Sequence, residues 1–213
     1  MVNVNNKVNV GELSVEFIRV SHSIPDSCAV AVKSPVGTIL FTGDFKMDFT
    51  PIDGDPTDIQ RLAELGKKGL LALYADSTNV ERPGHSISEK EVGDTFIRIF
   101  GQVNGRIIVA TFASNLHRVQ QVIYAAEKYN KKVALSGRSM LNNVKIASEL
   151  GYLKVKSNTL IDMKNIKSYA DDEIVVLSTG TQGEPLSALT RMANGEHKPV
   201  SYTHLRAHET PEH

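Results

Sequence analysis

The 213-residue chain has no tryptophan, one cysteine and only 6% aromatic residues. A lone Cys28 cannot form an intrachain disulfide, which excludes a disulfide scaffold. With no charged-then-apolar signal at Met1–Leu13, a cytoplasmic location is expected. No run approaches the roughly 20 apolar residues that span a bilayer, so no membrane association is expected. Neither sign of charge is in excess: Lys plus Arg and Asp plus Glu number 24 each. Without a global basic field, any nucleic-acid binding must come from a local patch or a metal site. What is present is ordinary globular composition, 41% hydrophobic and 23% charged, in a length that fits one domain or parts of two.

The segment Val200–His213 breaks the pattern before it. It lacks apolar periodicity and holds three of the seven histidines. It reads as one frame of a sequencing adapter, and it is set aside. The histidines that remain are His22, His85, His117 and His197, and the charge becomes +1. At the other end, a strand begins within a dozen residues of Met1. Both features are expected of a truncated gene.

Alternating, β-branched segments predict strands at Leu13–Val20, Cys28–Lys33 and Gly37–Thr42, the last two joined by Ser34-Pro-Val-Gly37. Helical spacing follows over Asp55–Lys67, then a strand at Leu70–Ala75. After Asn79 the composition changes, which places a boundary near residues 80–88. Ser88 and Glu91 have capping-box spacing and open a helix to about Phe100. Strands at Arg106–Thr111, Lys132–Leu135 and Ile174–Ser178 then alternate with helices at Ser114–Tyr129, Ser139–Leu150 and Leu186–Ala193. Such alternation predicts a parallel sheet covered by helices, so the chain is α/β.

Chemistry is expected at strand ends. His22 follows the first strand directly, and Asp44 ends an apolar strand after Gly43. Imidazole and carboxylate both suit zinc, but a zinc site takes four ligands, so a loop histidine and a turn aspartate remain an open reading. Asp76, in Tyr74-Ala-Asp-Ser-Thr-Asn79, closes another strand and fits either an Asx-turn or a carboxylate that orients a ligand. His85 reads as a solvated loop residue, His117 as a surface residue, and Asp171-Asp-Glu173 as a solvated edge. In the second part, three strands run into Phe112-Ala-Ser-Asn115, Ser136-Gly-Arg-Ser139 and Thr179-Gly-Thr-Gln-Gly-Glu-Pro185 before a helix. Helix-start amides and short hydroxyls suit phosphate oxygens, with Arg138 a further donor, although plain N-capping accounts for each loop taken singly.

Six motifs, His-Ser-Ile-Pro-Asp-Ser, Thr-Gly-Asp-Phe-Lys-Met-Asp, Ala-Asp-Ser-Thr-Asn, Phe-Ala-Ser-Asn-Leu-His-Arg, Gly-Arg-Ser-Met and Thr-Gly-Thr-Gln-Gly-Glu-Pro, stand in one order. In that order they resemble the bacterial ribonuclease J family, the β-CASP branch of the metallo-β-lactamase superfamily. The resemblance covers residues 10–199. It implies a partial metallo-β-lactamase αββα sandwich over residues 1–85 and a wound α/β β-CASP domain over 86–199, with the adapter-like, non-native tail at 200–213 outside it. It implies two zinc ions (Zn2+) per active site, with His22 binding one, Asp44 bridging both and Asp76 supporting them. Ala113, Ser114 and Asn115 are implied to hold the RNA backbone. The activity implied is metal-assisted hydrolysis of RNA phosphodiesters, 5′-to-3′ exonuclease and endonuclease, in rRNA maturation and mRNA decay. The partners implied are RNA and further copies of the parent protein.

The family's His-x-His-x-Asp-His motif lies upstream of His22 and is absent here, and its later histidine motifs lie beyond the point where the tail begins. This chain is therefore expected to be an inactive middle piece that binds no tight zinc and folds poorly. Two other readings stand beside it. One is a different metallo-β-lactamase hydrolase that cleaves thioesters or lactones, against which the large insert argues. The other is a non-catalytic RNA-binding paralogue.

Overall fold

The computed structural model describes residues 6–52, 54–78, 80–84 and 86–197. His85 and the tail from Val200 lie outside the described residues. The chain divides into two compact units, Met1–Glu89 and Lys90–Glu212.

The first unit is a five-stranded sheet in the order β1-β2-β3-β4-β5. Its strands are β1 (Lys7–Val10), β2 (Leu13–Arg19), β3 (Cys28–Ser34), β4 (Gly37–Phe41) and β5 (Ala72–Tyr74). β1 to β4 form an antiparallel meander, and β5 joins β4 in parallel. A parallel neighbour needs a crossover, and helix α1 (Ile59–Lys68) supplies it. Asp58 caps that helix by accepting the Arg61 amide at 2.9 Å. The helix thus begins later than its periodicity predicts, because Asp55–Thr57 stay outside it and Thr57 is buried for another purpose. Side chains alternate across a strand. Ile18, Ala29, Ala31 and Leu40 accordingly fall on one face and pack against Leu62 and Leu65 of α1.

The second unit takes in α2 (Glu89–Gln102) from its second residue and continues as β6 (Ile107–Ala110), α3 (Leu116–Lys128), β7 (Lys132–Ser136), α4 (Arg138–Glu149), β8 (Leu160–Ile161), β9 (Ile174–Ser178) and α5 (Ala188–Ala193). Its sheet is wholly parallel, in the order β6-β9-β7-β8. β9 lies between β6 and β7, and all five of its residues are buried, as suits a strand covered on both faces. Ile174 and Val176 pack with Ala134, Ile166, Ala188 and Met192. α3 presents Val119, Val122, Ile123 and Ala126 to the interior, each fully buried. Both units are mixed α/β, as the sequence predicts. The strands at Lys7–Val10 and Leu160–Ile161 were not predicted. Among the described residues no helix is long and apolar enough to cross a membrane.

Candidate functional site

In the first unit β2, β4 and β5 run in the same direction, since β3 is antiparallel to both β2 and β4 and β5 is parallel to β4. Their carboxyl ends therefore share one edge of the sheet. His22, Asp44 and Asp76 follow those three ends, so topology brings together residues that are distant in sequence.

Hydrogen bonds fix the loops that carry them. Ser21 and Lys46 form an antiparallel bridge, with the Lys46 amide donating to the Ser21 carbonyl at 2.7 Å. The Ser21 amide donates to Thr57 Oγ1 at 2.9 Å, which explains the buried threonine before α1. Gly43 turns the chain with φ +60°, and a Cβ there would meet the Cys28 carbonyl oxygen at 3.3 Å. Glycine meets both demands at the residue before Asp44. Thr42 joins β4 to β5: its amide donates to the Tyr74 carbonyl, and its Oγ1 accepts the Asp76 amide, both at 2.9 Å.

His22 Nε2 lies 3.8 Å from Asp44 Oδ2. The Asp44 side chain is 77% exposed and that of His22 32%, so the pair opens to solvent. The Asp76 carboxylate accepts the Thr78 amide at 2.9 Å. That bond, the Thr78 hydroxyl, the Phe45 amide and the charge of His22 together hold its carboxyl below the usual carboxylate range, against a smaller effect of burial. Asp76 is thus an ionised acceptor beside the loop that bears Asp44.

An imidazole and a carboxylate at this spacing can share one metal ion, and zinc takes both. The fit is right in kind and incomplete in number. A catalytic zinc takes three protein donors and a structural one four. Among the described residues no group of three or more His, Cys, Asp or Glu side chains is placed to hold a metal.

Asp48 closes the same motif as Asp44 and was not singled out from sequence. It is 5% exposed, and its carboxylate accepts the Thr50 amide at 3.0 Å and the Glu89 amide at 2.9 Å. Burial raises its pKa, but these two amides, Ser88 and Lys46 outweigh burial and hold the carboxyl below its ordinary value. Asp48 anchors the loop after Asp44. The only sequence signal for it was the spacing of two aspartates around one apolar turn.

In the second unit the carboxyl ends of β6, β9 and β7 lie side by side. The Thr111 amide donates to the Ser178 carbonyl at 3.0 Å, and Thr111, Ser136 and Ser178 are all buried. Asn115 is the N-cap of α3, its Oδ1 accepting the Arg118 amide at 3.0 Å. Asn143 Nδ2 donates to the Ala113 carbonyl at 2.9 Å, so α4 holds the loop from below. Ser114 is exposed between these anchors. Asn115 is therefore both a cap and a member of the loop. Gly137, before Arg138, caps α4 with no side-chain bond. Ser136 Oγ lies 3.1 Å from His197 Nε2. Burial, then the charge of Arg191, holds that imidazole below its ordinary pKa.

One expectation is corrected. His117 is not a surface residue: it is 8% exposed, because α3 is enclosed over most of its circumference. The Asp171–Glu173 run is exposed, as expected of a solvated edge, and from it Asp171 pairs with Arg106 and the Asp172 carbonyl receives Lys131 Nζ.

Residues 104–205 match the family model described as Ribonuclease J, beta-CASP domain. The chain is 46% identical over 201 residues to a Thermus thermophilus protein named Ribonuclease J, covering 94% of this chain and 35% of that protein. It is 48% identical over 193 residues to a Mycobacterium tuberculosis protein of the same name, covering 91% and 35%. For a Helicobacter pylori protein of that name the figures are 46% over 194 residues, 91% and 28%. The chain thus spans about a third of the length of the curated relatives it matches. A solved structure of an Enterococcus faecalis protein of unknown function shares the fold at TM-score 0.59 and 18% identity, over 85% of this chain and 45% of that one.

Proposed function

We propose, for a chain that carries the β-CASP domain of the ribonuclease J family, that the whole protein hydrolyses RNA phosphodiesters and that this chain holds part of its hydrolytic centre and part of its RNA grip. The observation that carries the reading is the convergence of His22, Asp44 and Asp76 on one sheet edge, within 3.8 Å for the first pair.

The roles follow from the chemistry of each group. His22 and Asp44 offer two donors to a zinc site, and the further donors come from outside the described residues. A metal bound there supplies Lewis acidity and an activated water. Asp76, ionised and held by two amides, orients that centre and accepts a proton or hydrogen bond at its carboxylate. Ala113, Ser114 and Asn115 offer a helix-start amide, a hydroxyl and a carboxamide to phosphate oxygens. Such contacts position a backbone without reading bases, so sequence preference is low. In this reading the whole protein acts as an exonuclease and endonuclease in RNA maturation and decay, in the cytoplasm and as an assembly of identical copies.

The test is an assay of the full-length protein on 5′-monophosphorylated RNA beside small thioesters and lactones. Degradation of the RNA alone is expected. Turnover of the small esters without RNA cleavage would favour the other metallo-β-lactamase hydrolases. RNA binding without any cleavage would favour a non-catalytic paralogue.

A further inference from the structure

The outer face of α3 carries an arrangement in which the loop at its N-cap takes no part. Gln120, Tyr124 and Glu127 share one side of the helix, at spacings of four and three residues. The segment after α4 is clasped along that side. Gln120 holds Lys154 at both backbone atoms, its Oε1 accepting the Lys154 amide at 2.7 Å and its Nε2 donating to the Lys154 carbonyl at 2.9 Å. Glu127 Oε1 accepts the Lys156 amide at 2.7 Å and the Thr159 hydroxyl at 2.9 Å. Tyr124 stands between these two clamps and is 58% exposed.

The charges around it are unequal. Glu127 is the acid on this face, and it is already committed: beyond those two bonds, its Oε2 lies 3.9 Å from Lys156 Nζ. Lys128, one turn beyond Tyr124, and Lys154, at the Gln120 clamp, are exposed and have no acidic partner among the described residues. An exposed aromatic ring, with one unpaired lysine a turn along its helix and another on the segment clamped a turn before it, matches what single-stranded nucleic acid presents, a base face and flanking phosphates. Tyr124 lies about 13 Å along α3 from Asn115, at the helix's rise per residue.

We propose that the face of α3 around Tyr124, Lys128 and Lys154 is a further contact for single-stranded RNA, with a base stacked on Tyr124 and phosphates against the two lysines. This inference rests on the RNA-hydrolase reading above and adds a surface to it. The double clamp supplies preorganisation, because the backbone that bears Lys154 is ordered before any ligand arrives.

The test is fluorescence anisotropy of the 213-residue chain with a labelled single-stranded RNA of about 12 nucleotides, over a salt series. Tyr124→Ala is expected to weaken binding by about 5- to 100-fold, and Tyr124→Phe to retain it, since stacking needs the ring and not the hydroxyl. Lys128→Ala with Lys154→Ala is expected to flatten the slope of log affinity against log salt by about 1.4, two phosphates' worth for a single strand. All of these positions are exposed, and circular dichroism checks that the variants fold. Wild-type affinity and slope in all of these variants would overturn the inference. If they bind as wild type while Asn115→Asp binds more weakly, the RNA reading stands and this surface is removed from it. Failure of the folded, unmodified chain to bind any RNA would overturn this inference, while the assay of the full-length protein decides the hydrolase reading separately. Polyglutamate competing as well as polyuridylate would mark a face for an acidic protein and overturn the RNA assignment.

Discussion

Thr42 Oγ1 receives the amide of Asp76 at 2.9 Å across 34 residues of sequence, and this one hydroxyl sets where the second acid of the cluster stands. Thr42 is 9% exposed. Thr42→Val keeps the shape and removes the acceptor. It should cost about 0.5–1.5 kcal/mol, the net worth of a hydrogen bond whose donor keeps some access to water. Thr42→Ser should restore most of the loss. Urea unfolding of the three proteins measures both.

A pH dependence follows from β2 and α1. Arg61 donates through Nε and Nη2 to both oxygens of Glu16, at 2.7 and 2.8 Å. The Arg61 hydrogen bond, outweighing burial, holds the Glu16 carboxyl below its ordinary value. A carboxyl depressed in the folded state adds stability that is present above its unfolded value, about 4.3, and is lost as pH falls through the lower folded value. Urea midpoints measured from pH 7 downward should therefore fall more steeply in wild type than in Glu16→Gln below about pH 4. Parallel curves would show that the fork makes no linked contribution.

The double duty of Asn115 separates folding from binding. Asn115→Ala removes the cap on α3 and should cost about 1 kcal/mol in thermal or urea unfolding. Asn115→Asp keeps a good cap but adds a negative charge to the loop. It should leave stability near wild type and weaken RNA binding several-fold, most at low salt, where charges are least screened. Wild-type stability with unchanged RNA affinity in the aspartate variant would assign the loop to capping alone.

Much of this was legible in the sequence because local pattern and tertiary structure agree. Ile174–Ser178 was read to the residue, since a run of buried β-branched positions bounded by Glu173 and Thr179-Gly180 has one outcome. The short strands β1 and β8 were not visible, because four and two residues carry no usable period and their pairing is decided by neighbours. The insertion of β9 between β6 and β7 is likewise a long-range choice. His22, Asp44 and Asp76 could be named as strand-end residues, but their meeting depends on β2, β4 and β5 running in one direction. Asp48 and Thr57 escaped notice because their work is to receive amides from distant loops, Glu89 and Ser21.

The incomplete donor set makes its own prediction. Equilibrium dialysis of this chain should find no stoichiometric zinc at submicromolar free metal, and His22→Ala and Asp44→Ala should change nothing. Two donors, with no third placed beside them among the described residues, do not hold the ion against water.

The most direct test of the account is RNA hydrolysis by the full-length protein with His22→Ala, Asp44→Asn and Asp76→Asn introduced singly. Folded proteins are expected, with cleavage of 5′-monophosphorylated RNA down by at least about 100-fold for the first two and about 10- to 100-fold for Asp76→Asn. Undiminished cleavage in the His22 and Asp44 variants would contradict the account.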